Sequence, residues 1–215
     1  MYIPSHFEES DPSRLHALIA SHPLGILVTH GASGLDANHL PFELAGQGSL
    51  GVLHTHVARN NAVWKDIVSG DEVLVVFRAA DAYISPNWYP STHEQHRQVP
   101  TWNYSVVHAH GRVTIRDDER YVRGLVGRLV KHHESREPSP WRMADSPQTF
   151  INDMLALLVG LEIEITRLVG KSKLSQNKEA RDVLGAAHAL KERGQDAVGD
   201  AMLERLAERS DNTSR

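Results

Sequence analysis

The sequence predicts a mainly β protein, built on an antiparallel sheet with helices inserted between the strands and at the end of the chain. About seven short apolar runs have strand character, and most of them follow one another along the chain with glycines at their ends. Strands and helices do not alternate regularly. This pattern disfavours a doubly wound parallel sheet and favours an antiparallel barrel with peripheral helices.

The first elements are a short helix and a group of strands. Asp11 and Pro12 are typical of an N-cap and a first helical position, and Pro23 ends the helix that they open. Three candidate strands come next, over 25–29, 35–44 and 50–57. Because no helix separates them, we expect a meander. Ala62, Val63, Trp64 and Ile67 then predict a helix over 58–68.

The second half of the chain alternates long strands with helices. A strand over 72–78 runs towards Tyr83, and the range 86–100, with its prolines and lack of periodicity, is interpreted as a long loop. The remaining predicted elements are a strand over 101–115, a helix opened by Asp117 and Asp118, a helix over 147–160, a half-exposed strand over 161–168 and helices from Ser175 onward. The length, 215 residues, suggests one large domain, which we place at 1–175, with a helical extension over 176–215.

Composition excludes several classes of function. The chain has no cysteine, which rules out disulfide frameworks, thiolate clusters and cysteine nucleophiles. Its net charge of -4 lacks the basic balance of a dedicated nucleic-acid binder. The longest apolar stretch, 155–161, is shorter than the roughly 20 residues that a membrane helix needs. With acidic residues at its start in place of a secretory signal, the protein is expected to be soluble, cytoplasmic and without a membrane partner.

A glycine motif that resembles a nucleotide fingerprint occurs at 46–51. Its letters match G-x-G-x-x-G, but a strand follows it, whereas the dinucleotide fingerprint requires a helix. We therefore interpret 46–51 as a hairpin turn.

Histidine is over-represented, with 14 copies, and four of these residues form two pairs. His54 with His56, and His108 with His110, each share one face of a strand because side chains alternate along it. Such nitrogens could hold a metal or ligate haem iron. The alternative, which we favour, is that they donate hydrogen bonds to a ligand or to backbone carbonyls, since no Asp or Glu accompanies them in either segment.

Two segments have the donors that an anion requires. At the strand-to-helix junction after His56, Arg59, Asn60 and Asn61 together with Thr55 could hold a phosphate, the alternative being ordinary helix capping by Asn60. The second segment, 170–177, carries two lysines, two hydroxyls and two amides, and a solvated turn is the alternative there.

A third candidate segment lies on the strand over 101–115. Thr101, Asn103 and Ser105 share one polar face with amide capacity, which suits a flat heteroaromatic ligand. Trp102 and Tyr104 lie on the other face, where packing against the barrel is the alternative.

Several motifs in order resemble the PaiB family of FMN-binding proteins, often labelled negative transcriptional regulators. They are GLDANHLPFEL from Gly34, LHTHVARNN from Leu53, AYISPNWYPS from Ala82, VPTWNYSVVHAHG from Val99 and GKSKLSQN from Gly170. The resemblance covers the chain to about Gly185. That family is similar to the pyridoxamine-phosphate-oxidase-like flavoproteins, which implies a split β-barrel and a homodimer with FMN near the subunit interface.

The resemblance also implies site residues. Thr55 matches a phosphate-binding threonine of those flavoproteins, whereas Asn60 and Asn61 stand where the relatives have Arg and Lys, which leaves Arg59 as the main local cation. The relatives' pyridoxal-phosphate arginines have no match, which argues against vitamin B6 oxidation. The full set of expected cofactor-binding residues is Asn38, His39, His54, Thr55, Arg59, Asn60, Asn61, Thr101, Asn103, Ser105, Lys171, Lys173, Ser175 and Gln176.

The resulting hypothesis is an FMN-binding protein of PaiB type with a flavin-dependent redox or ligand-sensing role, with FMN-dependent oxidoreduction as the candidate activity. Two alternatives remain open at this point. One is a transcriptional repressor that binds DNA directly, although the sequence shows no recognisable helix-turn-helix and no basic stripe. The other is a haem-binding or haem-degrading split-barrel protein with a histidine ligand.

Overall fold

The computed structural model describes the backbone of residues 1–32, 34–46 and 50–213, and side chains up to residue 209. This part of the chain contains eight strands. They are β1 (Glu8–Glu9), β2 (Leu24–Gly31), β3 (Gly34–Pro41), β4 (Glu43–Ala45), β5 (Val52–Ala58), β6 (Glu72–Ile84), β7 (Thr101–Arg116) and β8 (Leu158–Lys173).

The same residues form seven α-helices. They are α1 (Pro12–Ser21), α2 (Val63–Asp66), α3 (Pro90–Gln95), α4 (Glu119–Glu134), α5 (Gln148–Ala156), α6 (Ala180–Lys191) and α7 (Asp196–Thr213). No described helix is long and apolar enough to cross a membrane.

The strands form one sheet in the order β3-β2-β6-β7-β8-β5-β4, with β1 on β8. Five strand pairs are antiparallel: β2 pairs with β3 and β6, β5 pairs with β4 and β8, and β1 pairs with β8. The prediction of a mainly antiparallel sheet with inserted and C-terminal helices is therefore confirmed.

The predicted meander is wrong, because β3 and β4 lie at opposite ends of the strand order. Only Phe42 separates Pro41, the last residue of β3, from Glu43, the first of β4. An antiparallel hairpin needs a connection of about two residues, so two strands this close in sequence cannot pair with each other. Phe42 is buried and packs edge-on against Phe77, which anchors the bend.

Two predicted helices are shorter than expected. The helix expected over 58–68 is reduced to α2, because β5 continues to Ala58 and a turn follows it. Asn60 does not cap α2: its N-cap is Ala62, and Asn61 before it accepts a hydrogen bond from the Val63 N–H at 2.9 Å. The helix expected over 147–160 ends at Ala156, and β8 already begins at Leu158.

Gly160, the predicted end of that helix, lies within β8. A Cβ at Gly160 would approach the ring of Tyr121 to 2.5 Å, so this glycine permits α4 to pack closely on the strand.

The range 86–100 is more ordered than a loop. It contains a 3-10 turn over Pro86–Trp88 and then α3, and both begin with proline at the first helical position. Ser85 caps the first by accepting from the Asn87 N–H at 3.3 Å. His96 ends α3 in the left-handed conformation with φ 52°.

The chain divides into two compact units. The first unit comprises Met1–Leu18, Arg78–Val107 and Val169–Arg215, and the second comprises Ile19–Phe77 and His108–Leu168. In the first unit, α6 and α7 pack with Ala82, Ile84, Tyr89 and Leu174 around a core that includes Leu190 and Met202. In the second unit, α4 and α5 pack through Val122, Ile151 and Leu155. The boundary expected between 175 and 176 stays a prediction.

The glycine motif at 46–51 can be followed only in part, because residues 47–49 lie outside the described residues. Gly51 has φ 95°, a conformation that favours glycine.

Candidate functional site

The fourteen expected site residues fall into two groups, one in each unit. The second unit holds Asn38, His39, His54, Thr55, Arg59, Asn60 and Asn61, and the first unit holds Thr101, Asn103, Ser105, Lys171, Lys173, Ser175 and Gln176. Each group is described by itself below.

Arg59 lies at the turn after β5 and is held by a carboxylate and two carbonyls. Its guanidinium binds Asp117 through two hydrogen bonds of 2.6 and 3.0 Å, and it also donates to the carbonyls of Ala156 and Leu158 at 2.8 and 3.1 Å. These bonds lower the pKa of Asp117, chiefly because Arg59 donates to its carboxylate. One of the five guanidinium N–H groups is not used by these bonds. Arg59 is therefore fixed in place and still half-exposed.

Two asparagines join this turn to β3. Asn61 donates from Nδ2 to Oδ1 of Asn38 at 2.8 Å, and Asn38 donates to Asp36 at 2.7 Å. The structure thus brings together two expected site residues that are 23 positions apart. Asn60 and His39 are exposed on the same segments.

Thr55 has a structural role in this unit. It is fully buried, and its hydroxyl donates to the carbonyl of Pro41 at 2.7 Å, which ties β5 to the end of β3. This bond occupies the hydroxyl proton, so Thr55 can offer a ligand only its acceptor lone pairs.

His54 belongs to a polar cluster under α4. Its Nδ1 lies 2.7 Å from the hydroxyl of Tyr121 and 3.9 Å from Glu162, which also binds Arg116 at 2.7 Å. Burial lowers the pKa of His54, and the charge of Glu162 opposes that shift. Burial likewise raises the pKa of Tyr121 above its ordinary value. Sequence reasoning missed Glu162 and Tyr121, because the first faces His54 only through the β5–β8 register and the second comes from a distant helix.

The other paired histidines have different surroundings. Nδ1 of His56 is buried and has no hydrogen-bond partner among the described residues. His110 contacts Arg167 through Nε2 at 3.0 Å. The described residues include no group of three or more side chains arranged to hold a metal ion.

In the first unit, Asn103 and Ser175 lie inside the core. Asn103 is fully buried and donates to Ser175 Oγ at 3.0 Å, and Ser175 Oγ lies 3.3 Å from the hydroxyl of Tyr89. Ser175 has a left-handed backbone with φ 65°. These two residues fix the end of β8 against α7, since Asn103 also contacts the sulfur of Met202 at 3.3 Å.

Ser105 and Gln176 stabilise the neighbouring turn. Ser105 donates to Ser172 at 3.3 Å, and the Gln176 amide accepts from the Leu174 N–H at 2.7 Å while donating to the Ser172 carbonyl. These hydrogen bonds lie within the first unit, and the role of these residues in cofactor binding stays a prediction.

Lys171 and Lys173 are among the last residues of β8, and each contacts an aromatic ring. Nζ of Lys171 lies 5.2 Å from the ring centroid of Tyr104 and donates to the Tyr2 carbonyl at 3.3 Å. Nζ of Lys173 donates to the Thr101 hydroxyl and lies 6.0 Å from the ring centroid of Phe7. Burial lowers the pKa of Lys173.

Each unit also contains a pocket. In the first unit, a pocket of about 210 Å³ is lined by residues that include Ser105, Lys171 and Ser172. In the second unit, a pocket of about 300 Å³ is lined by residues that include Arg59, Asp117 and Asn152.

Sequence comparison now places these features in a family. Residues 1–167 match the model of the family described as "Putative FMN-binding domain". A protein of Emericella nidulans is 31% identical over 233 residues, covering 92% of this chain and 93% of the relative. The protease synthase and sporulation protein PAI 2 of Bacillus subtilis is 28% identical over 191 residues, covering 88% of this chain and 89% of the relative.

Solved structures share the fold at low identity. The FAD and heme binding protein of Mycobacterium smegmatis has a TM-score of 0.58 at 16% identity, covering 83% of this chain and 79% of that one. The flavocytochrome Anf3 of Azotobacter vinelandii has a TM-score of 0.53 at 13% identity, covering 80% and 72%. These likenesses define the fold as the split β-barrel of flavoproteins, which confirms the predicted fold class.

The protein is thus an FMN-binding split-barrel protein of PaiB type. The chain belongs to the FMN-binding domain family that matches it, and FMN is its cofactor.

The donors present suit this cofactor. A fixed guanidinium and an exposed asparagine next to it in sequence are groups that bind phosphate. The residues therefore fit FMN by their chemistry.

Proposed function

We propose that the protein is a homodimeric flavoprotein that holds the phosphate of FMN at the turn after β5 and uses the flavin for redox chemistry or ligand sensing. Arg59 and Asn60 would bind the phosphate, and Asn61 and Asn38 would position the turn. Thr55 would act as a scaffold for this turn, because its hydroxyl is committed to Pro41.

The observation that carries the proposal is the hydrogen bond of 2.8 Å between Asn61 and Asn38. It connects the turn that follows β5 with β3, the strand that carries the expected site residues Asn38 and His39. Arg59 beside it is already oriented by Asp117, so little side-chain entropy would be lost on binding an anion.

A second copy of the chain is part of this proposal. The pockets of about 210 and 300 Å³ lie below or at the lower limit of the roughly 300–1,000 Å³ typical of small-molecule sites. A cofactor of flavin size would gain enclosure from a partner subunit.

FMN supplies the redox chemistry when bound, and the protein supplies position and electrostatics. Cationic and amide donors from this chain would bind and orient the cofactor and exclude water around it. A cytoplasmic location is part of the proposal, and the absence of cysteine is compatible with it.

The experiment is a titration of purified apoprotein with FMN, followed by flavin absorbance and by thermal denaturation. We expect a perturbed flavin spectrum, a higher Tm and a particle mass close to twice 24.0 kDa by light scattering. An unchanged spectrum and Tm would overturn the cofactor assignment, and a monomer with FMN bound would overturn the dimer.

Direct repression of transcription receives less support. The chain carries 23 basic and 27 acidic residues, and Arg14, Arg59 and Arg116 are paired with carboxylates. If regulation occurs, a ligand-dependent or partner-dependent route fits this charge distribution better. A gel shift with the DNA upstream of its own operon, repeated at increasing salt, separates the two routes, since sequence-specific binding that weakens steeply with salt would indicate direct contact with DNA.

A further inference from the structure

Two lysine ammonium groups project from the same face of β8. Lys171 and Lys173 are two residues apart, and side chains at this spacing lie on one face of a strand. Their Cα atoms are about 7 Å apart in an extended strand, so their positive charges repel each other. Consistent with this, the charge of Lys171 adds to burial in lowering the pKa of Lys173.

Neither ammonium group has a carboxylate partner among the described residues. Lys171 is only 9% exposed, and its Nζ contacts a backbone carbonyl and the ring of Tyr104. Lys173 contacts the Thr101 hydroxyl and the ring of Phe7. Glu8 faces Lys171 in the β1–β8 register, but it is exposed and forms no ion pair with Lys171 in the structure.

This arrangement is unusual because a buried charge normally has a counter-charge. Removing an ammonium group from water is unfavourable unless a counter-charge offsets the lost hydration. Other cations of the first unit do have acidic partners. Examples are Arg14, Arg205 and Lys191, each of which forms an ion pair with a carboxylate. A bound anion would offset the charge of both lysines.

Exposed aromatic rings lie on the neighbouring strands of the same unit. Trp102 on β7 is 54% exposed and Tyr83 on β6 is 45% exposed, and their ring centroids are 6.0 Å apart in an edge-to-face arrangement. Trp102 shares one face of β7 with Tyr104, two residues further on, and Lys171 contacts the ring of Tyr104. Large exposed rings next to unpaired cations suit a ligand that is both flat and negatively charged.

We propose that Lys171, Lys173 and Trp102 form a binding site for an aromatic anion, a ring that carries a carboxylate or a phosphate. This anion is a molecule other than FMN, whose phosphate we assign to the turn after β5. The role of the anion as the second reactant or effector of the flavoprotein rests on the proposed function, whereas its binding does not.

The test compares two ring compounds that differ in charge. Anthranilate carries a carboxylate, and anthranilamide has a neutral amide in its place. Isothermal titration calorimetry with FMN-loaded protein should show anthranilate binding at least tenfold more tightly than anthranilamide. Equal affinities for the two compounds would overturn the proposal.

Variants assign the effect to the lysine pair. Lys173→Met should lower the affinity for anthranilate to that for anthranilamide, Lys173→Arg should retain most of it, and Lys131→Gln on α4 should match the wild type. Circular dichroism verifies that each variant is folded. If Lys173→Met binds anthranilate as well as the wild type does, the site is not formed by these lysines.

Titrations with FMN and riboflavin separate this proposal from the proposed function. If apoprotein fails to bind FMN yet still prefers anthranilate to anthranilamide, the flavin proposal fails and the anion site stands. If Lys173→Met weakens the binding of FMN but not that of riboflavin, the lysines hold the FMN phosphate and the separate site is overturned.

Discussion

His56 illustrates how burial acts on a single titratable residue in this protein. Its Nδ1 is buried with no hydrogen-bond partner among the described residues, and burial lowers the pKa of its ring. The cost of this arrangement is small while the ring is neutral and large once it is charged. His56 therefore ties the stability of the second unit to pH.

We expect the free energy of unfolding to fall as pH decreases below about 6.5, the ordinary pKa of histidine. Below this value the unfolded chain takes up protons that folded His56 resists, so acid favours unfolding, whereas stability is retained in full above it. His54, His108 and His110 act in the same direction, since burial also lowers their pKa values.

Urea denaturation at pH 8 and pH 5 measures this dependence. His56→Gln should lose less stability between the two pH values than the wild type, whereas His6→Gln, at an exposed position, should lose the same amount as the wild type. An identical pH dependence in His56→Gln and the wild type would contradict the assignment.

For individual site residues, the sequence indicated the kind of ligand group but not its partners or its burial. The sequence indicated an anion site at Arg59 because a cation and amides follow a strand, but it did not indicate that Asp117, 58 positions away, would hold the guanidinium. Asn103 and Ser175 looked like ring-binding groups, and they lie in the core. Burial depends on α7, which packs over them from a distant part of the chain.

At the scale of elements, a network of ion pairs connects α7 to the N-terminal segment. Arg205 binds Glu9 at 2.7 Å and Glu208 at 3.1 Å, and Arg14 contacts both of these carboxylates. These groups are partly exposed, so each pair contributes little on its own. The apolar side chains of α7 account for most of its attachment.

Met202 provides the test of that attachment. It is fully buried in the core of the first unit, and Met202→Ala should lower the free energy of unfolding by about 2–5 kcal/mol, the usual cost of removing a buried side chain of this size. Chemical denaturation measures the change. Glu204→Ala, an exposed substitution on the same helix, should stay within about 0.5 kcal/mol of the wild type, and a similar loss in both variants would contradict the account.

Elements with strong local signals were predicted well. Asp118 caps α4 by accepting from the Tyr121 N–H at 2.7 Å, and the strand over 101–115 corresponds to β7. The place of β4 could not be predicted, because its pairing with β5 depends on contacts across the sheet. Pro41 was a usable sequence signal that the strand over 35–44 is interrupted, because proline cannot donate a hydrogen bond within a sheet.

At the scale of the whole molecule, the family match establishes the family and the cofactor. The position of FMN at the turn after β5 is our proposal. Periodicity predicted a mainly antiparallel sheet, and the order of several motifs predicted the family. The strand order and the division into two units required the structure, because both depend on pairings between residues far apart in sequence.

The central claim is that the turn after β5 holds the phosphate of FMN. The most direct measurement is the affinity of apoprotein for FMN and for riboflavin, which lacks the phosphate, in the wild type, Arg59→Ala and Asp117→Asn. We predict that the wild type prefers FMN, that Arg59→Ala weakens FMN binding about tenfold or more without changing riboflavin binding, and that Asp117→Asn keeps the preference because the cation remains. Equal affinities of wild type and Arg59→Ala for FMN would contradict the claim.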